Sequence, residues 1–345
     1  MIDAKNIMTI GIEYRIVRGG VAAVENVYST FFQPFNHVAT TVEKGAARKA
    51  FICVKAIIVF LGWMLFHKEI KIVHVHGSSG TSFWRKRIFI YIAKAFNKKV
   101  VYHMHGGRFA DFTHEHDHAV RALVKKCDCI IALSDYWKGF FENELGCKNV
   151  VIIKNVITAP VLRPNKSDRF SLLFLGLLGH NKGIYDLLDC LTEHRDEFRN
   201  KLRLYVGGNG EVEKVKQIIA SNDLSDIVSF EGWVSGDNKI ELLNKANAYI
   251  LPSYHEGLPI SILEAMSYSL PIISTNVGGI PEILKDGENG YLIEPGDKEA
   301  MYKSIKSLMS DADLCKKMGE CSKSKVSEHL PDYVEKQLQT LYDSL

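Results

Sequence analysis

The sequence predicts an α/β protein made of two Rossmann-like, doubly wound parallel-sheet domains, and three observations predict it. Short β-rich runs alternate with longer helical stretches along the chain, which is the βαβ rhythm of parallel sheets with helices on both faces. That rhythm pauses at 158–169, TAPVLRPNKSDR, where proline, asparagine and charge replace the apolar pattern. The 345 residues, 46% of them hydrophobic, are enough to fill two separate cores. The expected organisation is a first domain over 1–157, a linker over 158–169, a second domain over 170–325 and a last helical segment over 326–345.

Each element has its own signal. In the first domain the runs Ile7–Ile12, Ile70–His76, Lys99–His105, Cys129–Ser134 and Val150–Ile153 read as strands, with helices such as Gly20–Phe32 and Trp84–Phe96 between them. In the second the strands are Ser171–Gly176, Lys201–Gly207, Val228–Glu231, Ala248–Leu251, Leu270–Thr275 and Gly290–Ile293, each leading into a helix or turn. From Lys298 onward charged helices with heptad-like spacing are expected to cover the sheets. Two such domains in tandem predict a ligand cleft between them, at the carboxyl ends of the strands.

Charge is divided unevenly between the two halves. Residues 1–155 carry 22 Lys and Arg against 12 Asp and Glu, while 156–345 carry 21 against 28, so a net +10 faces a net −7. A basic first half suits a polyanionic partner, whether nucleic acid, a phosphate-bearing acceptor or an anionic membrane, and the membrane is the favoured reading. Nucleic acid is disfavoured because the basic residues alternate with hydrophobic ones and form no recognised binding motif. Phe51–Phe66, FICVKAIIVFLGWMLF, has Lys55 as its only charge but falls short of the roughly 20 residues that span a bilayer. A buried helix is the first expectation there and an interfacial one the second, with Lys44, Arg48, Lys49, Lys55, Lys68 and Lys71 placed to meet anionic headgroups. Seven cysteines without a C-x-x-C pair point to reduced thiols, and the N-terminal MIDAKNIMTIG has no secretory pattern, so a cytoplasmic protein at the membrane face is expected.

The most specific signal is 253–282, SYHEGLPISILEAMSYSLPIISTNVGGIPE. Strand Ala248–Pro252 runs through a small-residue turn into an amphipathic helix over Ile260–Tyr268. The free N–H groups and positive end of such a helix attract phosphate. Glu256 lies in the turn and Glu264 about two helical turns on, near the same face, so the two carboxylates can hold different hydroxyl-bearing parts of one ligand. A sugar nucleotide has that layout.

The segment resembles the E-x7-E region of retaining glycosyltransferases of the GT-B fold, specifically family 4, of the type that builds bacterial surface polysaccharides. The likeness runs from about Phe170 to Asn289 and, with fewer matching residues, from Ile7 to Asn155. It implies metal-independent transfer, with retention, of a sugar from a nucleoside-diphosphate sugar, UDP favoured and GDP allowed. The expected acceptor is a lipid-linked glycan of O-antigen, capsule or exopolysaccharide. No cofactor is implied, because the nucleotide sugar is a substrate. Glu264 is then expected to bond the ribose hydroxyls and Glu256 the transferred sugar. The backbone at Gly257, Leu258 and Pro259, with Lys182, would stabilise the leaving diphosphate. His105, paired with Gly106 after its strand, would position the sugar. Gly19 and Gly20 let the backbone approach a phosphate or acceptor, and Gly208, Trp233 and Val234 fall in nucleotide-facing loops. One position departs from the family pattern: in FLGLLGHNKG the residue five before Lys182 is Leu177, where an arginine is usual. A sugar-nucleotide 2-epimerase of the same fold and a non-catalytic nucleotide- or glycan-binding protein are the competing readings.

Three further features were weighed against structural explanations. Gly19-Gly20 does not complete G-x-G-x-x-G and no acidic ribose partner follows, which counts against a dehydrogenase. Asp311-Ala312-Asp313 imitates a metal-binding D-x-D but reads better as a helix N-cap. His114, His116 and His118 alternate as H-x-H-x-H in a segment that reads as a mobile acceptor-side loop beside Arg108 rather than as a metal site.

Overall fold

The computed structural model describes every residue except 17–18, 42–44, 159 and 164–168. Part of the expected linker, and Lys44 of the basic set, therefore lie outside the described residues. The chain divides into two compact units, Met1–Thr158 together with Glu328–Leu345, and Ala159–Ser327.

The first unit contains β1 (Ile2–Asp3), β2 (Ile7–Gly11), β3 (Phe32–Gln33), β4 (His37–Ala39), β5 (Ile72–Gly77), β6 (Lys99–Met104), β7 (Cys129–Ala132) and β8 (Val150–Ile152). Its main sheet has the order β4-β2-β5-β6-β7-β8, with all pairs parallel, while β1 pairs with β3 separately. The crossovers include α1 (Gly20–Phe31), α2 (Ala46–Phe66), α3 (Thr81–Ala95) and α4 (Phe109–Val124). Sequence reading missed β4, whose three residues are too few to show a period.

Alternation along β5 and β6 divides two environments. Val73, Val75, Val100, Tyr102 and Met104 join the core that Phe60, Phe83, Phe89 and Phe109 complete from the helices. His74, His76 and His103 take the opposite pleat, in ring contact with Tyr28, and His74 also meets Tyr342. Tyr342 belongs to the last helix, Pro331–Asp343. That helix is held within this unit by His74 Nδ1 and Tyr342 Oη at 2.5 Å, by His329 Nδ1 donating to the Asn155 carbonyl at 2.7 Å, and by the Lys154–Glu328 ion pair.

Two expectations are corrected here. The apolar segment is mostly not buried: α2 reaches 21 residues, and among its described residues Ala56, Phe60 and Met64, spaced by one helical turn, enter the core, with Ile57 and Trp63 packed partly buried against it. Phe51, Ile58 and Phe66 are 69%, 65% and 82% exposed. By length and composition Arg48–Phe66 is sufficient to cross a membrane. Yet it connects β4 to β5, which both pair with β2 in one sheet, so it returns to the same sheet at each end. The THEHDHA segment is not a loop but part of α4, with non-helical dihedrals at His116 marking a kink. Buried Phe109, Phe112, Val120 and Leu123 supply the apolar face that stabilises a helix there despite the polar histidines.

The second unit contains β9 (Phe170–Leu175), β10 (Leu202–Gly207), β11 (Val228–Gly232), β12 (Ala248–Leu251), β13 (Ile272–Thr275) and β14 (Gly290–Ile293). Its order is β11-β10-β9-β12-β13-β14, again all parallel. The central strands β9, β12 and β13 are buried almost throughout, as strands covered on both faces require, whereas the edge strands β11 and β14 are partly open. Strand order reverses between β9 and β12, and the loops leaving their carboxyl ends diverge to leave a crevice where ligands of such sheets bind. Asp311 caps Ala312–Ser324 by accepting from Leu314 N at 2.8 Å, so its D-x-D is a helix start.

Candidate active site

In the second unit Lys182 and Glu256 meet at that switch point. Lys182 leaves β9 through a short 3-10 turn, His180–Lys182, closed by Gly183 at φ 66°. A side chain on Gly183 would lie 2.0 Å from the Pro252 carbonyl, so glycine lets this turn press against the end of β12. Glu256 follows β12, and Lys182 Nζ lies 2.5 Å from its Oε1 while Ser253 Oγ donates to the same oxygen at 2.8 Å. The Glu256 side chain is 8% exposed and that of Lys182 25%, so a nearly buried carboxylate is compensated by a cation that still reaches solvent.

The turn carrying Glu256 is fixed from below. Thr275 Oγ1 donates to the Ser253 carbonyl at 2.5 Å, and Gly279 N donates to the Gly257 carbonyl at 2.7 Å. Gly278, at φ 56°, would place a Cβ 2.0 Å from the Glu256 carbonyl. Gly257, Leu258 and Pro259 then lead into helix Ile260–Ser267, with Pro259 extended at the N-cap. Glu264 on that helix is engaged by Lys239 Nζ at 2.5 Å. The fold thus offers two carboxylates, each with its own lysine, flanking a helix N-terminus. Such an array binds hydroxyls through the acids and phosphate through the cations and amides.

Gly208, Trp233 and Val234 lie past the carboxyl ends of β10 and β11. Gly208 N donates to the Gly232 carbonyl at 2.7 Å, and a Cβ at 208 would sit 1.9 Å from the Gly176 carbonyl, so close backbone packing accounts for this glycine. Trp233 is exposed. Leu177, at the position where an arginine was expected, is an exposed apolar side chain beside Gly210.

In the first unit His105 follows β6, with its Nε2 2.9 Å from His76 Nδ1. Burial, reinforced by the charge of Lys86 and opposed by a hydrogen bond to Asn155, lowers its pKa to about 3. His105 is therefore a neutral imidazole at neutral pH, suited to hydrogen bonding and too weak a base for general-base catalysis. Gly19, at φ 94° with open space where a Cβ would point, and Gly20 form the start of α1. One ring nitrogen from each of His74, His76 and His103 lies within 4.8 Å of the others, a set able to approach a metal. In this structure His74 Nε2 pairs with His103 Nδ1 at 3.2 Å, and His76 pairs with His105. His114 and His118 are one turn apart on α4 and His116 lies at its kink, so the three do not share a strand face.

Sequence reasoning missed Ser253, Lys239 and Gly278. Ser253 and Gly278 stand within the recognised segment and signalled only a small-residue turn. Lys239 gave no sign, because one lysine in a polar helix, Gly236–Lys245, looks like any solvated position.

The fold defines a two-domain α/β protein of the GT-B class. Residues 162–325, which fall within the second unit, match the family described as glycosyl transferases group 1. An uncharacterised glycosyltransferase of Methanocaldococcus jannaschii is 27% identical over 291 residues, covering 77% of this chain and 74% of that protein. Among solved structures, sucrose-phosphate synthase from Thermosynechococcus elongatus superposes with a TM-score of 0.83 at 15% identity, covering 98% of each chain. Anabaena HepE, solved in complex with UDP, gives 0.77 at 15% identity over 99% of this chain and 100% of its own. At such identities the two structures speak for the fold alone.

Proposed function

We propose that the chain is a retaining, metal-independent glycosyltransferase of family 4 that moves a sugar from a nucleoside-diphosphate sugar to a lipid-linked glycan in surface-polysaccharide assembly. The observation that carries this reading is the Lys182–Glu256 pair at the β9/β12 switch point, beside the N-terminus of Ile260–Ser267. Lys182 and the amides after Gly257 meet the charge that develops on the departing diphosphate, and Glu256 accepts from hydroxyls of the transferred sugar. Glu264 accepts from the ribose, and Lys239 orients that carboxylate. For His105 the reading assigns positioning of a sugar hydroxyl. The protein's work is positioning and electrostatic preorganisation. UDP is the favoured leaving group, in line with the UDP bound by HepE. The exposed α2 and the basic first half support a cytoplasmic protein peripheral to an anionic membrane.

The test is the melting temperature with excess UDP, GDP, ADP or NAD, for the native chain and for Glu264→Ala. A ligand at about 100 times its dissociation constant stabilises by roughly 2.7 kcal/mol. Selective stabilisation by one nucleoside diphosphate, lost in the variant, is the expected result. Indifference to every nucleotide would remove the donor assignment.

A further inference from the structure

We propose that a lysine-lined cavity at the amino ends of β5 and β6 binds the phosphate of an anionic lipid headgroup, an inference that rests on the membrane part of the reading above. The cavity, about 530 Å³, lies within the first unit and is lined by Lys68, Lys71, Lys98 and Lys99 with Asn97 and Asp343 among the other residues. Four lysines and one aspartate thus share the lining, together with Leu345.

The topology creates this concentration. The connection from α2 to β5 supplies Lys68 and Lys71, and the connection from α3 to β6 supplies Lys98 and Lys99. Because β5 and β6 pair in register, Ile72 opposite Lys99, the two connections lie side by side, and Lys99 N donates to the Lys71 carbonyl at 2.9 Å. Lys98 Nζ is anchored on the Ile70 carbonyl at 2.6 Å, whereas the Lys99 ammonium is only 3.8 Å from Asp128, a loose pairing. The negative ends of α2 and α3 help to hold cations there. His105 and Gly106 follow the opposite, carboxyl end of β6, so this cavity is separate from the residues assigned to sugar binding in this unit.

Lipid rather than a free anion is favoured by what adjoins the lysines. Phe66, which is 82% exposed, precedes Lys68 by two residues and ends an exposed stripe on α2 that includes Phe51, Val54, Ile58 and Leu65. The neighbouring α3, packed on α2 through Phe60 and Phe89 with ring centroids 5.4 Å apart, exposes Trp84, Ile88 and Tyr91. The Arg87 guanidinium lies 5.6 Å from the Trp84 ring and 5.2 Å from that of Tyr91. Aromatic rings with an arginine among them, beside aliphatic side chains, suit the depth where headgroups meet acyl chains. The apolar stripes would enter that layer while the lysines engage phosphate.

The test is co-sedimentation of the full chain, without nucleotide, with vesicles of phosphatidylglycerol in phosphatidylcholine and of phosphatidylcholine alone. Lys68→Glu/Lys71→Glu is compared with Lys125→Glu/Lys126→Glu, which makes the same charge change at exposed positions after α4. Each variant is first checked for a native melting transition. Binding of the native chain to the anionic vesicles, at least about tenfold weaker for the cavity variant and within about twofold for the control, is expected. Equal weakening by both variants would mean diffuse attraction and overturn the assignment, as would absence of binding by the native chain. Inorganic phosphate raising the melting temperature of the native chain, without vesicle binding, would instead identify a soluble anion and overturn the lipid source. Nucleotide binding is read separately by melting without vesicles, so vesicle binding without a nucleotide response would remove the donor assignment and leave the cavity standing.

Discussion

Acidification should unfold the first unit before the second, because the first buries four uncharged histidines. His74, His76, His103 and His329 are each at most 2% exposed. Burial lowers His74 to about 3 and His329 to about 4, and holds His76 and His103 well below the ordinary 6.5. Between those folded values and 6.5 the unfolded chain binds more protons than the native one. The stability they contribute is therefore complete above pH 6.5 and is lost as pH falls toward their folded pKa values. From pH 7 to 5.5 each group forfeits about 1.3 kcal/mol, so the four together forfeit about 5 kcal/mol, comparable with a whole domain's stability. His105 is left out of the count because it retains some solvent contact. In the second unit His180, His194 and His255 all reach solvent. The assay is urea unfolding at the two pH values, followed by tryptophan emission. Trp137, 1% exposed in the first unit, reports its core, whereas Trp233 in the second is already exposed and changes little. His329→Gln should reduce the pH-linked loss by about 1.3 kcal/mol. A loss below about 1 kcal/mol in the transition that Trp137 reports would refute the linkage argument.

The second unit and the core of the first give five more outcomes. Lys182→Met should lower kcat by about 10²- to 10³-fold with a smaller change in KM. Adding Glu256→Gln should then cost far less than it does alone, as steady-state kinetics on the double-mutant cycle would show. Gly183→Ala should destabilise the second unit by more than about 2 kcal/mol in chemical denaturation, because its Cβ would meet the Pro252 carbonyl in a left-handed turn. Phe60→Ala should cost about 3–5 kcal/mol, measured in urea, since this ring is the α2 side chain wholly enclosed by the core. Phe51→Ala, on the exposed side of the same helix, should change stability by less than about 0.5 kcal/mol.

Most of the architecture was legible because it depends on local pattern. Apolar runs bounded by glycine and polar residues located the sheet strands to within a residue or two, apart from the short β1, β3 and β4, and Ala248–Leu251 and Gly290–Ile293 were placed at their observed limits. The same patterning misled where it gave hydrophobicity without geometry. A sixteen-residue segment with a single charge implied a buried helix, but a crossover beside the edge strand β4 has core contact on one side only, and its other faces remain exposed. In α4 the histidines looked like loop residues because the apolar positions that bury its inner face were outweighed by the polar ones.

The candidate site divides in the same way. By itself the sequence determined that Glu256 and Glu264 bracket a turn before a helix, that Lys182 follows a strand, and that Leu177 stands where a cation was expected, because neighbouring residues carry those signals. Only the tertiary structure decided that Lys182 and Glu256, distant along the chain, share a hydrogen bond, that Lys239 engages Glu264, and that lysines from two separate connections line one cavity. The physical reason is the parallel sheet. Hydrogen-bonded register brings the ends of nonconsecutive strands together, and strand order, set by packing over the whole unit, selects which loops become neighbours.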